Sequence, residues 1–169
     1  MDTVIVAVTG ATGTIISTTL LRKLKQKRVK AALIVSEAAY KVAEIELKIK
    51  PNELADMADI VIVEEHQIDE IESKSMVIAP CSMKTLAGVA WGRLDNLVLK
   101  AARKMLEKRY PLILVVREAP WSIIHLRNML EASRRGAIVM PPIIQPRRDQ
   151  ETLEDFADDL ADRIVNLCI

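Results

Sequence analysis

V-I-A-P-C-S-M-K-T-L-A-G-V-A-W-G, residues Val77 to Gly92, reads as a short buried strand (Met76 to Ala79) that stops at Pro80, a polar turn, and a helix opening at Thr85. Proline has no N–H to give to a ladder, and a Ser or Thr beside a first helical turn accepts from its unpaired amides. Cys81, Ser82, Met83 and Lys84 make up the turn. A corner of this kind suits an anion, because free amides and the positive end of the helix dipole meet where open parallel sheets take their ligands. A capped strand-to-helix connection with no ligand is the competing reading.

Outward from this corner, strand and helix patterns alternate. Thr3 to Thr9 is β-branched and almost wholly apolar, as a strand covered on both faces must be. Gly10-Ala11-Thr12-Gly13 follows, then a helix over Ile15 to Lys27 with Ile16, Leu20, Leu21 and Leu24 in register. Ala31 to Val35 is a second strand, and Ser36 precedes a helix from Ala38 to Lys48. Pro51 breaks the pattern, and Ile60 to Val63 is a third strand. Asn96 to Lys108 reads as a helix, Leu112 to Val116 as a strand and Ser122 to Ser133 as a helix. Ala137 to Met140 is a sixth strand, stopped by Pro141 and Pro142, and Leu153 to Leu167 closes the chain as an amphipathic helix. The alternation predicts one domain over residues 1–169: an α/β, three-layer Rossmann-like (flavodoxin-like) doubly wound parallel sheet with helices on both faces.

In such a sheet the polar stretches after each strand gather along one edge. They are Thr9 to Gly13, Ser36, Pro80 to Thr85, Arg117 to Trp121 and the residues from Pro141 onward. The first turn, G-A-T-G, lacks the third glycine of G-x-G-x-x-G and the lysine of a P-loop, which disfavours a dinucleotide or ATP. A ligand with one phosphate and a flat ring, such as flavin mononucleotide (FMN), fits a small Gly/Ser/Thr-lined crevice better.

Composition removes other classes. Lys+Arg 24 against Asp+Glu 23 leaves a net charge of +1, and only 3% of residues are aromatic, so neither a nucleic-acid surface nor base stacking is indicated. No apolar run reaches a membrane span, and the chain enters its first strand without a basic leader, so a cytoplasmic protein is expected. Two distant cysteines, Cys81 and Cys168, and two histidines without H-E-x-x-H give no expectation of a disulfide or a metal. His66 is read as a surface residue and His125 as a packed core histidine. A hydrophobic content of 50% predicts that some apolar helix faces are shared between subunits.

T-G-A-T-G, P-C-S-M-K-T-L-A-G-V-A-W-G with Asp95-Asn96-Leu97, R-E-A-P-W-S-I-I-H-L-R-N-M-L, G-A-I-V-M-P-P and the closing T-L-E-D…D-R-I-V-N together resemble the UbiX-type flavin prenyltransferases. These belong to the wider flavoprotein family that includes the flavin-containing cysteine decarboxylases. The resemblance implies a homo-oligomer, a dodecamer, that transfers a dimethylallyl group from dimethylallyl phosphate to reduced FMN. The prenylated FMN then serves a UbiD-type decarboxylase. It further implies flavin contacts at Gly10, Ala11, Thr12, Ser36, Ser82, Met83, Lys84, Thr85 and Arg117. Glu46 and Glu118 take the catalytic carboxylate positions, and Arg163 that of an arginine on the prenyl phosphate. Read without the resemblance, Glu46 is a solvated helix residue and Arg163 a surface charge paired with Asp159 at i−4.

The chain departs from that pattern where the prenyl phosphate would be held. Lys100 stands in place of an arginine, Glu107 in place of a lysine, and Arg147 in place of a tyrosine, while a Ser-Gly-rich loop before the fourth strand is reduced to E-S-K-S. Lys100, Arg147 and Arg163 are therefore the expected phosphate cations. Two functions stand at this point: the prenyltransferase, or an FMN-binding redox or flavin-carrier protein of the same fold. A cysteine decarboxylase is disfavoured, since its P-x-M-N-x-x-M-W motif is absent. Trp91 and Trp121 flank the expected crevice in sequence, and Trp91 is a candidate to cover a prenyl chain or an oligomer contact.

Overall fold

The computed structural model describes residues 3–143 and 152–169. In chain order the elements are β1 (Thr3–Val8), α1 (Thr14–Gln26), β2 (Lys30–Val35), α2 (Glu37–Leu47), α3 (Pro51–Ala55), β3 (Ile60–Val61) and α4 (Glu65–Glu70). They continue with β4 (Ser73–Cys81), α5 (Met83–Trp91), α6 (Leu97–Glu107), β5 (Leu112–Val116), α7 (Ile123–Arg134), β6 (Ile138–Val139) and α8 (Leu153–Cys168). The strands form one parallel sheet in the order β3-β2-β1-β4-β5-β6. This is the doubly wound, three-layer α/β fold the alternation predicts, with the order reversing direction between β1 and β4.

The alternation of side chains along β1 explains its composition. Val4, Val6 and Val8 point to the layer holding Leu20, Leu21 and Leu24 of α1 and Leu160, Ile164 and Val165 of α8. Ile5 and Ala7 point to the opposite layer, against Leu86 and Val89 of α5 and Leu99 and Met105 of α6. A strand covered on both faces has no position for a polar side chain until it emerges, which it does at Thr9.

Several boundaries differ from expectation. β4 does not stop at Pro80 but runs through it to Cys81, because the pairing with β5 is irregular between Ile78 and Cys81 and so asks no N–H of the proline. α5 opens at Met83, two residues earlier than expected, with Ser82 as its N-cap. Pro51 does not merely interrupt: it occupies the first turn of α3, where a missing N–H costs nothing. α3 and α4 are short, charged segments whose pattern gives no periodic signal. β6 is confined to Ile138–Val139.

Among the described residues no helix is long and apolar enough to cross a membrane. The outer face of α7 is apolar and uncovered: Ile123 is 65% exposed and Ile124 64%, with Leu126 and Leu130 beside them. Trp91, at the end of α5, is 61% exposed and donates from Nε1 to Asn128 Oδ1 of α7 (2.8 Å). α8 is held on α1 by buried leucines and by Lys23, which pairs with both Asp158 and Asp162 at 2.9 Å. Leu160 is fully buried in that seam, so Leu160→Ala should lower the unfolding free energy by about 2–5 kcal/mol in urea titrations. A midpoint within error of the parent would mean α8 is not part of the core.

Candidate functional site

Three strand ends and the helices that follow them build the site. Thr9 fixes the first two: its Oγ1 donates to the Pro80 carbonyl oxygen and accepts from the Ser82 amide, each at 2.8 Å, although the hydroxyl is buried. Ser82 in turn accepts from the Thr85 amide (3.2 Å) and donates to the Thr85 hydroxyl (3.0 Å). Ser36 caps α2 in the same manner, accepting from the Ala39 amide (3.2 Å). The loop after β1 passes so close to α2 that a Cβ on Gly10 would lie 2.6 Å from that of Ala38. Only a residue without a side chain fits there.

Two clefts meet at Gly10 and Ser82. The more polar, of 510 Å³, is bordered by the first turns of α2 and α5 and by Asn96, the N-cap of α6. Three helix N-termini thus converge on one space, with Lys41, Lys84 and Arg93 on its walls. Unpaired first-turn amides, aligned dipoles and cations together form a site for a phosphate. The second cleft, of 670 Å³, runs from Gly10, Ala11 and Thr12 past Met83 to Arg117, Glu118, Trp121 and Pro141 to Ile143. Its polar wall and its apolar wall suit the edge and the face of a flat ring.

A third cleft, of 390 Å³, adjoins the second at Arg117 and Pro142 and has Glu46 on its rim. Glu46, at the last turn of α2, is no free surface charge: its carboxylate accepts from the Gly13 amide through both oxygens and from the Thr14 amide, all at 2.9 Å. It therefore seals the N-terminus of α1, whose N-cap Gly13 has φ +107° and supplies no side chain of its own. Partial burial pushes the Glu46 carboxyl up, but the Thr14 and Gly13 amides, the Thr14 hydroxyl and the positive charge of Arg117 outweigh it and hold the group below the usual range. The Arg117 side chain lies across Gly13, with its Cδ 3.2 Å from where a Cβ would stand. Glu118 is less engaged, accepting from the Ala119 amide at 3.0 Å while lining the second cleft.

The expected phosphate cations are not brought together in this way. Lys100 pairs with Glu65 of α4 and lines a separate cleft with Arg103 and Lys104. Arg163 lies in α8 with its Nε 3.3 Å from Asp159 Oδ2, the i−4 pairing read from the sequence. Its Nε and Nη2 are nevertheless buried and make no hydrogen bond among the described residues. Arg147 lies outside the described residues. The shortened E-S-K-S connection precedes β4, which puts it at the sheet edge opposite the clefts and not beside the phosphate site of the same chain.

Trp121 lines the ring-sized cleft, but Trp91 does not, standing at the far end of α5. His125 is no core residue: its Nδ1 accepts from the Ser122 amide (3.2 Å) and closes the capping box of α7. His66 is exposed beside Glu64, as expected. Thr9 was legible only as the last residue of a strand. Its role as the tie between two turns depends on β1 and β4 being neighbours, for which its position just before G-A-T-G is the one local sign.

The Flavoprotein family model matches residues 1–167. The flavin prenyltransferase UbiX of Methanothermobacter thermautotrophicus is 35% identical over 169 residues, covering 97% of this chain and 88% of that protein. Among solved structures, AnUbiX (PadA1) in complex with FMN and dimethylallyl pyrophosphate superposes with a TM-score of 0.93 at 34% identity, covering 98% of this chain and 91% of that one. The dodecameric FMN-dependent UbiX-like decarboxylase from Escherichia coli O157:H7 gives 0.92 at 35% identity, covering 97% and 92%.

The depressed Glu46 carboxyl has a sign that can be checked. A group whose folded value lies below its unfolded one stabilises the fold above the unfolded carboxyl range and loses that contribution as pH falls through the folded value. Glu46→Gln should therefore be less stable than the parent at neutral pH, and the gap should close on acidification. Urea midpoints recorded against pH test this, and a gap independent of pH would show that the carboxylate charge does not hold the α1 turn.

Proposed function

The chain belongs to the Flavoprotein family, in its branch of UbiX-type flavin prenyltransferases, and on that premise we propose that it transfers a dimethylallyl group from dimethylallyl phosphate to reduced FMN. The product is prenylated FMN, the cofactor of a UbiD-type decarboxylase. The observation that carries this reading is the joining of the clefts: a phosphate-sized polar space, a ring-sized space and an apolar space meet in series at Gly10, Ser82 and Arg117.

The residues fit the flavin. Ser36, Ser82, Lys84 and Thr85 offer hydroxyls, amides and a cation to its phosphate. Gly10, Ala11, Thr12 and Met83 border the ring space, where Gly10 cannot be larger and Trp121 offers an aromatic face. Reduced FMN supplies the nucleophilic ring nitrogen. The protein's own groups do the rest. Arg117, at the junction, presents a forked guanidinium to an anion and offsets charge as a phosphate leaves. Glu118, tied only through the Ala119 amide, is the carboxylate with capacity to take a proton. Glu46, with both oxygens engaged, holds the α1 turn and keeps a fixed negative charge beside Arg117.

Arg163 supports a phosphate on the other side, since its buried N–H groups call for an acceptor that the described residues do not provide. Arg147 belongs to the same clamp in this reading. Lys100 points to another cleft of its own chain, so its part in the clamp is taken in a neighbouring subunit's site. That requires an assembly, for which the uncovered Ile123, Ile124, Leu126 and Leu130 face is the natural contact, and a homododecamer is the form we infer. The chain then works as a single flavoprotein domain over residues 1–169, in the cytoplasm.

Incubating protein, reduced FMN and dimethylallyl phosphate without oxygen, and weighing the extracted flavin by mass spectrometry, should reveal a mass increased by one prenyl group. Dimethylallyl pyrophosphate belongs in the same series. Unmodified FMN from flavin-loaded protein with both donors would favour the redox or carrier alternative. Arg117→Ala should weaken FMN binding by about 1.5–3 kcal/mol in a flavin titration, the worth of a charge-assisted hydrogen bond. An unchanged dissociation constant would remove Arg117 from the site.

A further inference from the structure

The third cleft differs in chemistry from the two that accept the flavin. Apart from Gly13, Glu46 and Arg117, its lining is Ile15, Ile16, Leu47, Pro142, Leu153 and Phe156. No cation other than Arg117 reaches it, whereas the phosphate-sized cleft carries Lys41, Lys84 and Arg93. The Glu46 carboxylate on its rim already accepts three hydrogen bonds at 2.9 Å from Gly13 and Thr14, so an apolar group can displace water beside it without leaving a buried acceptor unpaired. Leu153 and Phe156 stand at i and i+3 on α8 and therefore present neighbouring side chains to the same space.

We propose that this cleft seats the apolar chain of an isoprenoid phosphate, with the Leu153–Phe156 wall of α8 setting the chain length the protein accepts. The inference rests on the transferase reading and adds to it the part of the chain that selects the donor. The donor is amphipathic, and the cleft is amphipathic in the matching sense: Arg117 lies where it opens to the flavin space, and hydrocarbon lines the remainder. Moving one methylene from water into such a lining is worth roughly fourfold in affinity. A chain-bearing phosphate should consequently bind far better than the same phosphate without a chain.

The test uses FMN-loaded protein and calorimetric titration with methyl phosphate, dimethylallyl phosphate and geranyl phosphate. The parent should prefer dimethylallyl phosphate to methyl phosphate by at least about tenfold. Phe156→Ala, or Phe156→Leu where alanine prevents folding, should raise the affinity for geranyl relative to dimethylallyl phosphate by about tenfold, as the wall recedes. Leu153 is 59% exposed, so Leu153→Trp is tolerated by the core and should weaken both prenyl phosphates while leaving methyl phosphate and FMN unchanged. Equal affinities for methyl and dimethylallyl phosphate, or variants that move all three ligands together, would overturn the assignment. The mass of flavin extracted after anaerobic incubation is read in parallel. Chain-length effects with unmodified FMN support the cleft and sink the transferase reading, whereas prenylated FMN without chain-length effects does the reverse.

Discussion

The Thr9 hydroxyl is the contact on which the geometry of the clefts depends. It gives its proton to the Pro80 carbonyl and takes one from the Ser82 amide, joining the ends of β1 and β4 at the point where the strand order reverses. Without it the Pro80 carbonyl would keep only the long 3.3 Å contact from the Thr9 amide, and Ser82 would lose the bond that orients the first turn of α5. A buried hydroxyl is costly unless both its donor and its acceptor capacity are used, and here both are. The two turns that border the flavin-sized space are thereby one rigid unit, and Gly10 can approach Ala38 to a distance no other residue would allow.

On the other side of that unit, α1 and α2 are locked by charge. A helix beginning with a glycine N-cap has no side chain to satisfy its first amides, and Glu46 is borrowed from the end of α2 to do so. The arrangement ties catalytic placement to folding: the carboxylate near the chemistry is the same group that finishes a helix. Arg117 gains from this, since the charge facing it is fixed in place and does not move with solvent.

Much of this was legible in the chain because parallel strands covered on both faces leave an unmistakable apolar signature, and β1, β2 and β5 carry it. The ends of elements were less legible where the sheet is irregular. Pro80 reads as a stop, yet it sits where β4 and β5 are out of step and no amide is needed. α3 and α4 are too short and too charged to show a period. At the site, G-A-T-G, Ser36 and Ser82 announce themselves by residue type. Glu46 does not, because its partners are more than thirty residues away and its neighbours Glu44 and Ile45 are plainly exposed. Lys100 illustrates the opposite case. Its charge suggests a ligand, but the fold gives it Glu65 and a different cleft. Sequence spacing carries no information on which cleft a helix face meets.

The two tryptophans occupy opposite ends of the functional architecture. Trp121 faces the ring-sized cleft, while Trp91 stands exposed at the end of α5 with its indole N–H on Asn128. Their fluorescence is therefore a pair of built-in reporters. Quenching by an arriving flavin falls on the first, and the blue shift that accompanies burial against another subunit falls on the second. Replacing either one with phenylalanine turns the protein into a single-channel instrument, in which cofactor loading and assembly can be followed separately in the same tube.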